Sequence, residues 1–483
     1  MKDAQEIEKI NPSDTSNNKK NILSYVKNFF KARFNSLKSF FSDLEKESYA
    51  SMIFMGVGQI MNKQYIKGIL YILLEIAFIV YFIFAGITDI VGFFTLGTTK
   101  GDAWTGEVGD NSVIMLLRGI FAWIIIIAFI SLYISNIKDS KKYSDLRKQG
   151  KKVPSFIDDI KSLFGKNFYK TALFLPLIGV AIFNILPIIF MILIAFTNYG
   201  GTIVPPNLVD WSLESFKKLV VLGELSESFG KILGWNVLWA IVSTFFNYFA
   251  GLGLALLYNK KCVKGKSIWR AFPIIAYATP GFITLLAFKF MFSNGGPINN
   301  IITQNGGQII DFLGINSKWM ARGIGFFVNA WLTVPSVMLL ATGILSNIKR
   351  DLYEAAEIDG ATGWQQFKSI TLPFVIFSTT PVLISQFIGN FNNFGVFFFL
   401  RSDVLSEGYF LASDTDLLIN WLYRMSIDNN YYAIGAAISL IIFIITSVVS
   451  LLVYVRSSAY KKEDTFRWEK IIIVQLRERE LLK

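Results

Sequence analysis

Long apolar runs separated by short polar segments dominate the chain. Those at 66–96, 112–137, 172–198, 230–258, 271–293, 323–346, 373–400 and 431–455 are each long enough to cross a bilayer. A helix needs about 20 mostly apolar residues for a hydrocarbon layer of roughly 30 Å, and only intrahelical bonding satisfies its backbone there. The pattern therefore predicts an all-α, polytopic membrane protein with about eight transmembrane helices. Ahead of the first run, Ile22, Val26, Phe29, Phe30, Phe34, Leu37, Phe40, Phe41 and Leu44 recur at helical spacing, with Lys27, Lys31, Arg33 and Lys38 between them. This predicts a basic amphipathic helix lying on the membrane. The stretch "MGVGQIMNKQYIKG" (55–68) is too short to span and predicts a re-entrant or interfacial turn. Residues 1–20 are polar and turn-rich, which predicts disorder and no cleavable signal peptide.

Composition agrees with this reading: 53% of residues are hydrophobic and the mean hydropathy is +0.46. The net charge of +12 is placed unevenly. Segment 138–171 carries Lys138, Lys141, Lys142, Arg147, Lys148, Lys151, Lys152, Lys161, Lys166 and Lys170, whereas 97–111 carries only Lys100. Loop 259–270 is again basic, while 199–228, 294–322 and 401–430 hold only the pairs Lys217/Lys218, Lys318/Arg322 and Arg401/Arg424. Alternation of this kind marks membrane sidedness, not nucleic-acid binding. It predicts cytoplasmic termini and cytoplasmic loops at 138–171, 259–270 and 347–372. The expected divisions are a cytoplasmic segment 1–48, a two-span extension with its basic loop at 49–165, a core at 166–460 and a cytoplasmic tail at 461–483.

Catalysis is disfavoured. Histidine is absent and Cys262 is the only cysteine, so neither a histidine-based triad nor a cysteine metal motif is available. "GKS" at 265–267 imitates the end of a phosphate-binding loop, but Lys260 stands where its first glycine belongs. An energy source, if one is used, lies on another subunit.

The segment "EAAEIDGATGWQQFKSITLP" (354–373) predicts a short helix, a turn and a second short helix. Asp351 and Glu354 suit a capping box, Gly360 a left-handed helix end, Thr362 and Gln365 a second box, and Pro373 the start of the next span. Glu354, Ala355 and Ala356, then Gly360, then Ile370, Thr371, Leu372 and Pro373 resemble the signature of the permease subunits of binding-protein-dependent ABC importers. That resemblance implies docking of the loop, with Glu354, Ala355, Ala356, Asp359, Gly360, Ile370, Leu372 and Pro373, into a cytoplasmic ATPase. No cofactor is then expected in this chain, since ATP and Mg are held by the partner ATPase.

Polar residues inside the spans mark a candidate path, because a polar side chain facing lipid is costly. Thr379, Gln386, Asn390 and Asn393 are spaced to share one face of the seventh span, and Tyr277, Gly281 and Thr284 one face of the fifth. The sixth offers Thr333 and Ser336. Amides without carboxylates suit a neutral, hydroxyl-rich solute, since each both donates and accepts. Small residues and hydroxyls also join transmembrane helices to one another, so each position has a packing alternative. Glu75 and Arg118, about 14 Å and about 9 Å inside their spans, are within reach of each other by snorkelling, and Lys289 is expected to snorkel outward.

"GNFNNFGV" (389–396), "DTDLLINWLYR" (414–424) and "AYATPGFI" (276–283) resemble the MalF-type permeases of maltose and maltodextrin importers. By position, the resemblance implies a sugar site of Tyr277, Gly281, Thr333, Ser336, Gln386, Gly389, Asn390 and Asn393. Tyr277, Asn390 and Asn393 keep the family's residues. Gly281 and Gln386 stand for serines, Thr333 for glycine, Ser336 for tyrosine and Gly389 for phenylalanine. The resemblance also implies a multi-pass place in the bacterial cell membrane. Expected partners are a homologous MalG-like second permease, an ATPase homodimer, an extracellular solute-binding protein, the sugar and membrane lipid, with no nucleic acid. The rival readings are an ion-coupled secondary transporter or channel, which predicts an ionisable site at mid-membrane, and a non-transporting membrane anchor for an ATPase.

Overall fold

The computed structural model describes residues 45–101, 108–204, 208–221, 223–260 and 262–456. The amphipathic helix expected over 22–44 and the C-terminal tail lie outside these residues. Among the described residues there is no β-strand, and seven helices are long and apolar enough to cross a membrane, or eight if one bent pair counts as a span. The chain is an integral membrane protein. It divides into two units, Met1–Gly97 with Asn111–Pro187, and Thr98–Asp110 with Ile188–Lys483.

In the first unit α1 (Lys46–Ile53) and α2 (Val57–Met61) precede the spanning helices α3 (Tyr65–Thr95) and α4 (Ser112–Lys148). The short apolar stretch of the sequence contains α2, of which Gly58 and Gln59 are buried against protein. A Cβ on Gly58 would lie 2.2 Å from the Glu47 carbonyl and 2.3 Å from the Ser140 hydroxyl, so only glycine fits. Asn136 of α4 accepts from the Gly56 amide (3.1 Å) and donates to the Ser51 carbonyl (3.1 Å), while Gln59 donates to the Asn136 carbonyl (2.8 Å). Interhelical amides therefore satisfy a turn that the hydrocarbon cannot. The expected meeting of Glu75 with Arg118 does not occur: Glu75 accepts from the Met55 amide at 2.8 Å, and no ion pair joins it to Arg118. Lys67 is the charged hub instead, 2.7 Å from Asp139 and 3.0 Å from Asp159, with the Tyr143 hydroxyl at 2.8 Å. Asp159 belongs to α5 (Phe156–Phe164), which precedes the spanning helix α6 (Phe168–Ala195).

The second unit contains α7 (Glu214–Val220), α8 (Glu224–Asn259), α9 (Lys266–Ala278), α10 (Gly281–Met291), α11 (Pro297–Gln304) and α12 (Lys318–Ser346). They are followed by α13 (Arg350–Ile358), α14 (Gly363–Gln366), α15 (Leu372–Phe391), α16 (Gly395–Arg401), α17 (Leu418–Tyr423) and α18 (Tyr432–Arg456). Helices α8 and α12 form the spine. A Cβ on Gly251 would come within 2.5 Å of the Val337 side chain, so this glycine sets the close approach. One core cluster joins Trp239, Leu285, Val328, Phe397 and Leu417, and a second joins Tyr248, Leu252, Val337, Met338 and Val375.

Two expected spans are broken. The fifth is α9 and α10, bent by 93°. Pro280 cannot donate a helical hydrogen bond, and Thr279 before it is extended, at ψ 133°. Tyr277 and Gly281 therefore stand on opposite sides of a bend, not on one helix face. The seventh divides at 392–394 between α15 and α16, so Asn393 lies beyond the helix that carries Asn390.

Three arginines fix the segment 401–424. Arg401 is fully buried, pairs with Asp414, and donates to the carbonyls of Leu313 (3.0 Å) and Gly314 (2.7 Å). Arg322 donates to the Asp414 carbonyl at 2.6 Å with its guanidinium 3.8 Å from the centre of the Trp235 ring. Arg424 lies 3.3 Å from Asp416. Lys289, expected to snorkel outward, pairs with Asp403 at 3.0 Å.

Two predictions follow from this segment. Arg401→Met strands the Asp414 carboxylate in a buried site, and detergent unfolding is expected to show a loss of about 3–5 kcal/mol. Burial pushes the Asp416 carboxyl up to about 6, against the opposing pull of Arg424. The folded protein thus keeps a proton that the unfolded chain releases near about pH 3.9. The stability from this group is complete below that value and declines as pH rises through 6. Stability curves of Asp416→Asn measured between pH 4 and 7 are expected to lack that decline.

Candidate functional site

Two features outside the ordinary packing carry chemistry. The first is the hairpin of α13 and α14. No residue of α13 is buried, and Leu352, Ile358 (87% exposed) and Trp364 present large apolar surfaces to the surroundings. The expected cap by Asp351 is absent: α13 begins at Arg350 after Lys349, which places Asp351 within the first turn, where its charge favours the helix dipole. Glu354 is consequently directed to Arg350, 2.9 Å away. Gly360 adopts φ +75°, and the Ala361 amide bonds back to the Ala356 carbonyl at 2.9 Å, closing the helix as its sequence foretells. Thr362 and Gln365 form the expected reciprocal box. Tyr353 and Thr371, whose hydroxyls are 2.8 Å apart, tie the two arms together.

Beyond α14 the chain does not restart. A π-helical turn, Phe367–Thr371, runs directly into α15, with the Leu372 amide bonded to the Phe367 carbonyl. Pro373 has no amide for the carbonyl four residues earlier, so the wider turn is accommodated there. The hairpin is therefore continuous with a spanning helix. Glu354, Ala355, Asp359 and Gly360 are exposed on it, Ala356 and Ile370 are half-buried, and Leu372 and Pro373 enter the span.

The second feature is a seam of amides between α8, α12 and α15. Asn390 is buried. It donates to the Thr244 hydroxyl (3.0 Å) and accepts from Asn329 (3.3 Å), which in turn accepts from Asn393 (3.0 Å). Asn393 accepts from the Val396 amide (3.2 Å) and so caps α16. Asn236 donates to the Phe391 carbonyl (3.1 Å), and Asn420 to the Phe394 carbonyl (2.8 Å). Side-chain amides thus replace the backbone bonds lost where the seventh span breaks.

The implied sugar-site residues are distributed unequally around this seam. Asn390 and Asn393 are joined through Asn329. Gln386 has a buried side-chain oxygen without a partner. Gly281 and Gly389 face open space, for a Cβ on either would meet nothing within 4 Å. Tyr277 is more than half exposed in the last turn of α9, and the Ser336 hydroxyl bonds to the Thr333 carbonyl of its own helix at 2.8 Å. Thr379 is bonded to the Tyr248 hydroxyl at 2.8 Å and serves packing. Sequence reasoning missed Asn329, Thr244 and Asn236, together with Asn247, whose two side-chain polar atoms are buried without partners. Their signal was available, since all four are polar positions within predicted spans.

Residues 247–459 match the family model described as "Binding-protein-dependent transport system inner membrane component". The chain is 33% identical to the maltodextrin transport system permease protein MalC of Streptococcus pneumoniae, over 85% of this chain and 96% of that relative. The chain belongs to this family. It is the permease subunit of an ABC importer, whose role is transport and whose ATPase is a separate subunit. The permease is also 32% identical to the maltodextrin permease MdxF of Bacillus subtilis, across 85% of this chain and 95% of the relative. Identity to the galactooligosaccharide permease GanP of the same organism is 31%, across 85% and 97%. A bacterial ABC transporter that imports alginate shares the fold, with a TM-score of 0.51 at 20% identity over 61% of this chain and 96% of that one.

If the seam acts as a unit, Asn329→Ala and Asn393→Ala are not independent. A double-mutant cycle on unfolding is expected to give a coupling of roughly 1 kcal/mol. Strict additivity would show that Asn329 does not relay between its neighbours.

Proposed function

We propose that this permease carries a malto-oligosaccharide or a closely related neutral oligosaccharide inward, along the amide seam between α8, α12 and α15. The observation that carries the reading is Gln386: a buried acceptor without a partner, one helical turn before Asn390, whose own partners are the Thr244 hydroxyl and the Asn329 amide and include no carboxylate. A hydroxyl-rich solute can donate to such an acceptor and accept from the neighbouring amides, and the absence of a carboxylate from the set leaves a cation's charge uncompensated. The maltodextrin relatives support the choice of sugar, while GanP, at similar identity, leaves galactose-based chains as the competing substrate. Tyr277, Gly281, Thr333, Ser336, Gln386, Gly389, Asn390 and Asn393 are the proposed contacts.

The hairpin is the proposed ATPase dock, with ATP and Mg held by an ATPase pair. Its apolar side chains need a protein cover, and its π turn gives a push on α13 a rigid route into α15. A homologous second permease completes the pore. An external binding protein delivers the sugar, as a solved alginate transporter in complex with its periplasmic protein illustrates. The basic loops support a cytoplasmic position for the hairpin and both termini in the bacterial cell membrane. ATPase closure moves the hairpin and opens the seam outward, and hydrolysis resets it.

The test is uptake of labelled maltodextrins and galactooligosaccharides by cells carrying Asn393→Ala or Gln386→Ala. A fall of at least tenfold for one sugar class is expected, and unchanged transport of every sugar removes the site. For the dock, Gly360→Val strains a residue at φ +75°, and Ala356→Trp blocks close approach. Both are expected to abolish uptake while the bundle still folds, as judged by its detergent melting temperature.

A further inference from the structure

The amphipathic helix α5 has no counterpart in the functional reading above. Ile157, Ile160, Leu163 and Phe164 share one face, and all are exposed, Phe164 at 73%. The opposite face is fixed to protein by Asp159, 3.0 Å from Lys67 at the start of α3. The elbow into α6 is rigid as well. The Asn167 amide donates to the Ser162 carbonyl (2.7 Å), and the Thr171 hydroxyl donates to the Leu163 carbonyl (2.9 Å).

Geometry then constrains what covers the apolar face. Only residues 165–167 separate α5 from a membrane-spanning helix, so α5 cannot leave the bilayer surface. Its apolar row continues onto the exposed Phe168 of that helix. Lys151 and Lys152 precede the helix, Lys161 lies in its last turn and Lys166 and Lys170 follow it, all exposed, against Asp158 and the paired Asp159, and this excess of positive charge matches a negatively charged surface.

We infer that α5 is a membrane-surface anchor that seats its apolar face among acyl chains and its lysines among anionic lipid headgroups of the cytoplasmic leaflet. The leaflet rests on the proposed sidedness; the anchor itself does not depend on transport. Through Lys67 it holds the inner ends of α3 and α4 at a fixed depth, so the ends of three spans are referenced to one lipid plane.

A Cys262→Ser background permits single spin labels, because the chain has no other cysteine. Labels at Phe164→Cys and Ile157→Cys, and at Asp158→Cys on the opposite face, are compared in nanodiscs with and without phosphatidylglycerol. At position 158 the bond from the backbone amide to the Ser155 hydroxyl is retained, while the two bonds from Ser155 to the Asp158 carboxylate are lost, so the helicity of this variant is checked by circular dichroism. Positions 157 and 164 are expected to be open to oxygen and shielded from a water-soluble nickel chelate, with the reverse at 158. Removing phosphatidylglycerol, or adding Lys161→Gln with Lys166→Gln, is expected to move the 164 label toward water. Nickel access at 164 in both lipids overturns the anchor, as does shielding from both reagents, which would indicate a protein cover. A depth insensitive to phosphatidylglycerol overturns the anionic preference. Sugar uptake is not read in any arm, so failure here is distinct from failure of the import reading.

Discussion

Hydrocarbon offers no hydrogen bonds, and the architecture of this permease is organised around that lack. Unbroken helices meet the constraint alone. Each interruption has to be satisfied from within, and it is at the interruptions that the polar side chains gather. At 392–394 the carbonyls of Phe391 and Phe394 are taken by Asn236 and Asn420, and the Val396 amide by Asn393. At 55–64 the corresponding work falls to Asn136 and Gln59. Asparagine suits the task because one short side chain supplies both a donor and an acceptor.

The same constraint links stability to transport. The break in the seventh span lies on the proposed path of a hydroxylated solute, yet it must not cost the fold its integrity. Asn390, Asn329 and Asn393 meet both requirements by bonding to one another, so they are pre-oriented rather than free. Gln386, lacking a partner for its oxygen, is the member of the proposed set that the fold leaves unsatisfied. The arginine-fixed segment 401–424 braces the break from one end through Asn420 and Leu417.

Mechanical continuity is arranged by a different device. The hairpin is held square by the Gly360 turn, the Thr362 box and the Tyr353–Thr371 contact, and it is joined to α15 by a π turn without a flexible joint. In the proposed mechanism the hairpin is thus joined without a loop to the helix that carries Thr379, Gln386 and Asn390.

Local pattern determined much of this protein. Apolar runs fixed the existence and approximate limits of the spans, because bilayer thickness sets helix length irrespective of partners. Gly360 and the Thr362–Gln365 box were legible because turn and cap chemistry acts within a few residues. What periodicity could not supply was the course of the chain where helices fail. It treated Tyr277 with Gly281, and Asn390 with Asn393, as neighbours on one face, whereas a proline bend separates the first pair and the end of α15 the second. It joined Glu75 to Arg118, although the Met55 amide is the partner Glu75 takes. Those outcomes belong to the tertiary structure, since a broken helix or a buried charge is stable only where distant residues satisfy it, and such pairings, 20 positions apart for Glu75 with Met55 and 61 for Asn329 with Asn390, leave no local trace.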